Sequence, residues 1–419
     1  MNFKWISRLL LYLTILLIPF YFFRFSFLGI KTNIFEIAVF ASTLFFLCSL
    51  AQNRDKKISF KKEFQTWLLP IIFLLLALAS IFIADDKTKA LGIFKGWFLV
   101  PIMFGWLINK NFNKRSVFKI SIPIFISVLI VSVWALLQKT GIIGTLFYQV
   151  GDGSFNEYIR EGRAFGPFES PNFLAMFLVP AVFLALPIIE FLKNKVAKTA
   201  ALALFLLPLL TLYASGSRAG IIALAVCFFV FVNYRFVNLQ KSKERRPFYV
   251  ALFVSLFVLV NVGYLFFATH NFNPMSGGDK IRVEIYKYSD ILLRNNPVSG
   301  VGLGGFEDRI SKISENNASF QLYAMSYALH PHNLFLAIWL STGIAGLVIF
   351  IFILASIFKR LFTSDSRLRS YFVAAIVAIL IHGVFDTTYF KNDLAALFWL
   401  IYSGAVILGN LNEEQISEN

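Results

Sequence analysis

Residues 331–357 read PHNLFLAIWLSTGIAGLVIFIFILASI. After the opening Pro-His-Asn, no charge occurs until Lys359. A helix needs about 20 mostly apolar residues to cross a bilayer, so the stretch predicts a span whose polar start sits at one membrane surface. The same test along the chain predicts twelve spans, at about 5–23, 33–51, 65–84, 90–108, 117–137, 170–191, 199–214, 219–237, 248–268, 332–357, 371–389 and 394–410. Composition agrees. The 419 residues are 58% hydrophobic and 15% charged, against about 45–50% and 25% in soluble domains. A soluble enzyme and a disordered tail protein are excluded. The expected fold is an all-α membrane protein, a single polytopic domain over 1–419, with a large extracytoplasmic loop over 269–331 between spans nine and ten.

Orientation follows from the basic residues in the loops. With the N-terminus in the cytoplasm, the cytoplasmic segments hold 23 of the 39 Lys and Arg. Nearly all of the net charge of +16 then faces inward. The charge is therefore a topology signal, and no nucleic-acid partner is expected. Both termini are expected in the cytoplasm, and the large loop on the outer side, where nucleotide donors are absent.

All four histidines, His270, His330, His332 and His382, fall on that outer side. An imidazole suits proton transfer near neutrality. In His330-Pro331-His332-Asn333-Leu334, Pro331 sets the backbone at a helix start, and His332 and Asn333 are expected in the first turn. A metal site would need further ligands, and no acidic cluster lies at a suitable spacing. His332 reads as a general base or as a residue capping its own helix. His382 and Asp386, four apart, share one face of span eleven and form either a functional pair or a structural one.

Ser215-Gly216-Ser217-Arg218-Ala219-Gly220 joins spans seven and eight at the outer face. An arginine at a helix N-terminus opposes the helix dipole, which makes sense if an anion binds there. Otherwise Arg218 satisfies the carbonyls ending span seven or snorkels to lipid phosphate. In 279–294, DKIRVEIYKYSDILLR, the apolar residues have helical spacing. Arg282 in its first turn is either a second phosphate ligand or a solvated interfacial charge. Gly300, Gly302 and Gly305 spell G-x-G-x-x-G, but the run follows a helix and has no βαβ context. It is read as a tight loop that turns the outer segment back over the membrane. Arg163 and Glu169, in the run leading to span six, are sugar or phosphate contacts or solvated charges.

Together GRAFGPFESPNFLA (162–175), SGSRAG (215–220), the Arg282 helix with NPVSGVGLGGF (296–306), PHNLFLAIWLSTGIAGL (331–347) and HGVFD (382–386) resemble the O-antigen ligase and O-antigen polymerase superfamily of bacterial membrane glycosyltransferases. The resemblance implies a glycan donor on undecaprenyl diphosphate, used at the outer face of the inner membrane. It implies inverting transfer with no cofactor or metal. The implied acceptor is lipid A–core for a ligase, or a second lipid-linked glycan for a polymerase; the PHN and SGSRAG segments look more like the ligase. By motif, Arg218 and Arg282 would bind the diphosphate, and His332 would take the acceptor proton. The expected substrate-binding set is Arg163, Glu169, Asn172, His330, Asn333, His382 and Asp386, with His330 positioning the acceptor. A transporter or lipid-linked glycan flippase is the competing class. Its intramembrane charges would be Lys95 and Glu36, far from the suspected outer site.

Overall fold

The computed structural model describes residues 3–27, 30–52, 60–144, 162–239, 278–315 and 330–409. The helices are α1 (Phe3–Leu16), α2 (Ile34–Gln52) and α3 (Phe60–Ser80), then α4 (Lys87–Asn111), α5 (Val117–Lys139), α6 (Pro171–Phe191) and α7 (Lys195–Ser215). Next come α8 (Arg218–Leu239), α9 (Gly278–Asn295) and α10 (Gly305–Glu315). The last three are α11 (Leu334–Thr363), α12 (Arg369–Gly383) and α13 (Asn392–Gly409). A short antiparallel hairpin, β1 (Arg24–Phe27) with β2 (Ile30–Asn33), links α1 to α2. Nine of the described helices are long and apolar enough to cross a membrane. The expected all-helical membrane fold is therefore present. The predicted span 248–268 and His270 lie outside the described residues.

α13 is buried on every side from Asp393 to Leu408, which makes it the central helix of the described bundle. Phe398 stacks on Phe350 of α11 with ring centroids 5.2 Å apart. Leu44 and Leu47 of α2 and Leu75 of α3 are exposed, as suits a surface facing lipid acyl chains. Inside the bundle, α4 widens into a π-helical stretch over Phe94–Leu99. There Lys95 Nζ lies 2.8 Å from Glu36 Oε2. Thr32 and Asn392 donate to the same carboxylate, so the intramembrane pair ties α2, α4 and the start of α13 together.

α11 departs from the straight span read from sequence. Its 30 residues would measure about 45 Å if straight, whereas the 15 residues of α12 measure about 22 Å. The two are joined at one end by residues 364–368, and at the other Asn333 Nδ2 donates to Val384 O at 3.1 Å. A straight α11 would overrun its partner. The chain resolves this at Gly343, whose φ of 72° and ψ of 178° break the helix. Residues 344–363 match a bilayer's thickness of about 30 Å, and 334–342 turn aside as a short cross-piece.

The glycine-rich loop fills the break. Ile344 N–H donates to Val298 O at 3.0 Å, and Val301 N–H donates to Leu340 O at 2.6 Å. Trp339 Nε1 donates to Pro297 O at 2.8 Å. A Cβ on Gly300 would lie 2.4 Å from Leu340 O, and one on Gly343 would lie 2.3 Å from Val298 O. Both glycines also have positive φ, so each is needed for conformation and for close approach. Ile285, Tyr288 and Leu292 of α9 then bury against Leu336, Trp339 and Leu340 of the cross-piece, with Phe306 and Ile310 of α10. Lys89 of α4 holds α10 through Glu307 at 2.6 Å and Asp308 at 2.9 Å.

Candidate active site

His332 ends the loop that leads into the cross-piece. It is the one non-glycine residue with positive φ, 46°, among the described residues, a conformation kept only when the surroundings hold it. Three contacts hold it. Asn333, rather than His332, caps α11: its Oδ1 accepts from Phe335 N and Leu336 N, each at 3.0 Å. Tyr286 Oη of α9 donates to His332 O at 2.9 Å. His332 Nδ1 lies 3.2 Å from Asp386 Oδ1. His332 therefore stands before the helix and not in its first turn. The expectation failed because asparagine is the better N-cap, which pushes the histidine out by one residue.

Asp386 sits in the turn beyond α12 and is 3% exposed. Its Oδ1 also accepts Thr387 N–H at 2.9 Å. Burial opposes ionisation, but His332, with His382 and Arg282, outweighs it and holds the carboxyl below the usual range. An ionised Asp386 makes His332 Nδ1 the donor, so the ring's acidic proton is fixed on that nitrogen. The sequence paired Asp386 with His382. The structure gives the side-chain hydrogen bond to His332, while His382 is linked through its backbone carbonyl, which accepts Asp386 N–H at 3.0 Å. Both ring nitrogens of His382 are buried without a partner among the described residues.

Arg282 acts electrostatically on Asp386 and on Tyr286, which places it at this cluster. Arg218 is the first residue of α8. Phe231 and Tyr234 of α8 meet Tyr371 and Arg369 in turn, and Arg235 reaches Arg367 O. The partner numbers fall as those of α8 rise, so α8 and α12 run antiparallel. Counting back from that contact at 1.5 Å per residue, Arg218 and His382 lie at about the same height, some 16–20 Å above it. The two arginines thus share the His332 end of the bundle.

Arg163 Nε donates to Ser215 O at 2.9 Å, and Ala164 N–H to Ala214 O at 3.0 Å, so this segment clasps the end of α7 beside Arg218. Asn172 is half-buried in the first turn of α6. Glu169 is not a solvated charge. It pairs with Lys391, and with Arg24 at 3.6 Å. Burial opposes its ionisation, but Lys391 outweighs it and keeps the carboxyl below its ordinary value. Lys391 Nζ also lies 3.6 Å from the Phe173 ring centroid, and the His330 ring meets that same ring edge-on at 6.2 Å. Burial, with Lys391 and His332 adding, pushes the His330 imidazole down to about 4.

Sequence reasoning missed Tyr286 and Lys391. Tyr286 stands one turn after Arg282 on the same face, a signal that was present but had no chemistry attached. Lys391 was indistinguishable in the sequence from any other loop charge.

A His–carboxylate pair and two arginines at one end of a bundle of membrane-length helices hold the parts for proton transfer and anion binding. Residues 203–351 match the family described as O-antigen ligase (Wzy_C), which supports the O-antigen ligase and polymerase superfamily, whose members are glycosyltransferase-like enzymes. The matched segment carries Arg218, Arg282, Tyr286, His330, His332 and Asn333. Asp386, His382, Glu169 and Lys391 lie outside it. No curated protein matches the chain.

Proposed function

We propose that this protein moves a glycan from undecaprenyl diphosphate to a hydroxyl of lipid A–core, at the outer face of the cytoplasmic membrane. The observation that carries the reading is the His332–Asp386 pair. A carboxylate that fixes the Nδ1 proton leaves Nε2 as the basic nitrogen, which is the arrangement a general base needs. In this reaction Nε2 takes the proton of the acceptor hydroxyl. The freed oxygen bonds to the anomeric carbon from the side opposite the diphosphate. The carbon–oxygen bond to phosphate breaks, and the diphosphate leaves with the electron pair. Arg282 and Arg218 stabilise the charge that gathers on it, a role suited to a planar fork that never loses its charge. The anomeric configuration inverts.

The test is reconstituted transfer in lipid, in EDTA, with an undecaprenyl-diphosphate glycan as donor. Lipid A–core and a second lipid-linked glycan are offered separately as acceptors. Product on lipid A–core is expected. Lengthening of the lipid-linked glycan alone would make the protein a polymerase with the same site. Absence of product with either acceptor would overturn the reading.

A further inference from the structure

The segment that enters α6 is irregular, yet Ala164, Phe165 and Phe168 in it are fully buried. Buried backbone outside helices must find partners, and this strap finds them on three elements. Gln138 Oε1 of α5 accepts Gly166 N–H at 2.8 Å and Phe165 N–H at 3.3 Å. The end of α7 accepts from Ala164 N–H and from Arg163 Nε. The third anchor is the ion pair of Glu169 with Lys391. Lys391 is only 5% exposed. Its ammonium lies against the Phe173 ring and donates to Tyr21 Oη at 3.3 Å. Apolar residues of like volume would fill such a place at no loss of stability. What an ion pair adds is a fixed distance between two backbone segments, and both segments here lead to the site. Asp386, the partner of His332, and Lys391 share the connection between α12 and α13. At its other end the strap meets the turn before Arg218. Gly216 in that turn has a φ of 61°, and a Cβ there would lie 3.3 Å from Arg163 Nε. Ser215 Oγ accepts Ser217 N–H at 3.2 Å, and Ser217 Oγ accepts Gly220 N–H at 3.3 Å, so the turn is tied directly to the first residues of α8.

We propose that Lys391, acting through Glu169 and the strap 163–169, is a positioning residue for Arg218. The strap fixes the turn that starts α8 relative to the connection that carries Asp386. It thereby sets the diphosphate-binding guanidinium at a constant distance from the base. The proposal rests on the glycan-transfer reading, in which Arg218 meets the diphosphate.

The decisive variant replaces both partners, Glu169→Leu with Lys391→Met, in the full-length protein in lipid nanodiscs. Removing the pair as a whole strands no buried charge, so melting should stay near that of the wild type. The Kd for undecaprenyl diphosphate is measured beside the melting temperature. Binding about tenfold weaker is expected, within the usual reach of a residue that acts through another. The same pair of substitutions is then added to Arg218→Gln. A residue that works by placing Arg218 has nothing further to lose once the guanidinium is gone. The triple variant should therefore bind within about twofold of Arg218→Gln alone. A strap that merely stiffens the bundle would weaken both backgrounds alike. That outcome, or a double variant that binds as well as the wild type, would overturn the proposal. Should the double variant melt early, Glu169→Asp, which keeps both charges and shortens the tether by one methylene, is read in the same cycle. If the wild type transfers glycan to neither acceptor but its binding of undecaprenyl diphosphate follows the expected pattern, the positioning role stands and the transfer reading falls. If the wild type does not bind undecaprenyl diphosphate, both fall.

Discussion

At the scale of single residues, the site turns on how one imidazole is held. His332→Ala should lower transfer by about 10²–10⁴-fold, the usual worth of a positioned base, with protein abundance unchanged. Asp386→Asn should fall nearly as far in kcat with little change in either KM, because an amide can stabilise the wrong tautomer. Initial rates on purified protein check both, and near-normal rates in either would remove the base assignment. His330 behaves differently. Its imidazole is pushed down to about 4, whereas an unfolded histidine takes its proton near 6.5. Between those values the unfolded chain binds more protons, so stability falls as pH drops from about 6.5 towards 4 and is flat above. Melting temperatures of His330→Gln should show a shallower decline over that window. His332 and the arginines were visible in the sequence as candidates, because the chain has four histidines in all and both arginines stand at or near the start of a helix. The partner of His332 was not. Asp386 is 54 residues away, and the pairing exists only because α11 and α12 end together.

At the scale of elements, α9 carries Arg282 and Tyr286 one turn apart on one face: Tyr286 bonds to the backbone of His332, and in the proposed reaction Arg282 serves the diphosphate. Tyr286→Phe removes that hydrogen bond, worth about 1 kcal/mol net, and should lower kcat about fivefold while leaving donor KM near its wild-type value. A steady-state titration of the donor separates the two. The helix itself could be read in advance from its apolar spacing, whereas the break in α11 could not. Gly343 lies in an apolar run where glycine is common in spans, and nothing local shows that a distant loop backbone will be bonded beside it. Gly343→Ala meets both a left-handed φ and the Val298 carbonyl. It should detach the 297–301 loop and lower stability by at least about 1–3 kcal/mol. Earlier melting with faster tryptic cleavage near Arg294 would register the loss, and a wild-type melt would contradict it.

At the scale of the whole molecule, hydropathy and loop charge were enough to anticipate a multi-pass helical bundle. They could not anticipate which helix is central. α13 is less apolar than its neighbours, with a mean hydropathy of 1.4 against 2.3 for α6, so nothing in its composition marks it, and burial on every side is a property of the assembly. The proposed orientation has a direct check. With Cys48 and Cys227 replaced, a cysteine at Arg309 of α10 should react with an impermeant maleimide added outside intact cells. One at Lys114, between α4 and α5, should react only after permeabilisation. The opposite pattern would put the site in the cytoplasm.

The join at Gly343 also sets how this region can change over time. The loop docks by main-chain atoms, so the identity of the side chains at Val298 and Ser299, both exposed, is nearly irrelevant to the fit. A single added carbon at Gly300 or Gly343 is not tolerated. Substitutions should therefore accumulate freely on the visible surface of the loop while two small, hidden positions stay locked. A homologue that lost one of these glycines would have to rebuild the whole outer segment to keep its histidine in place.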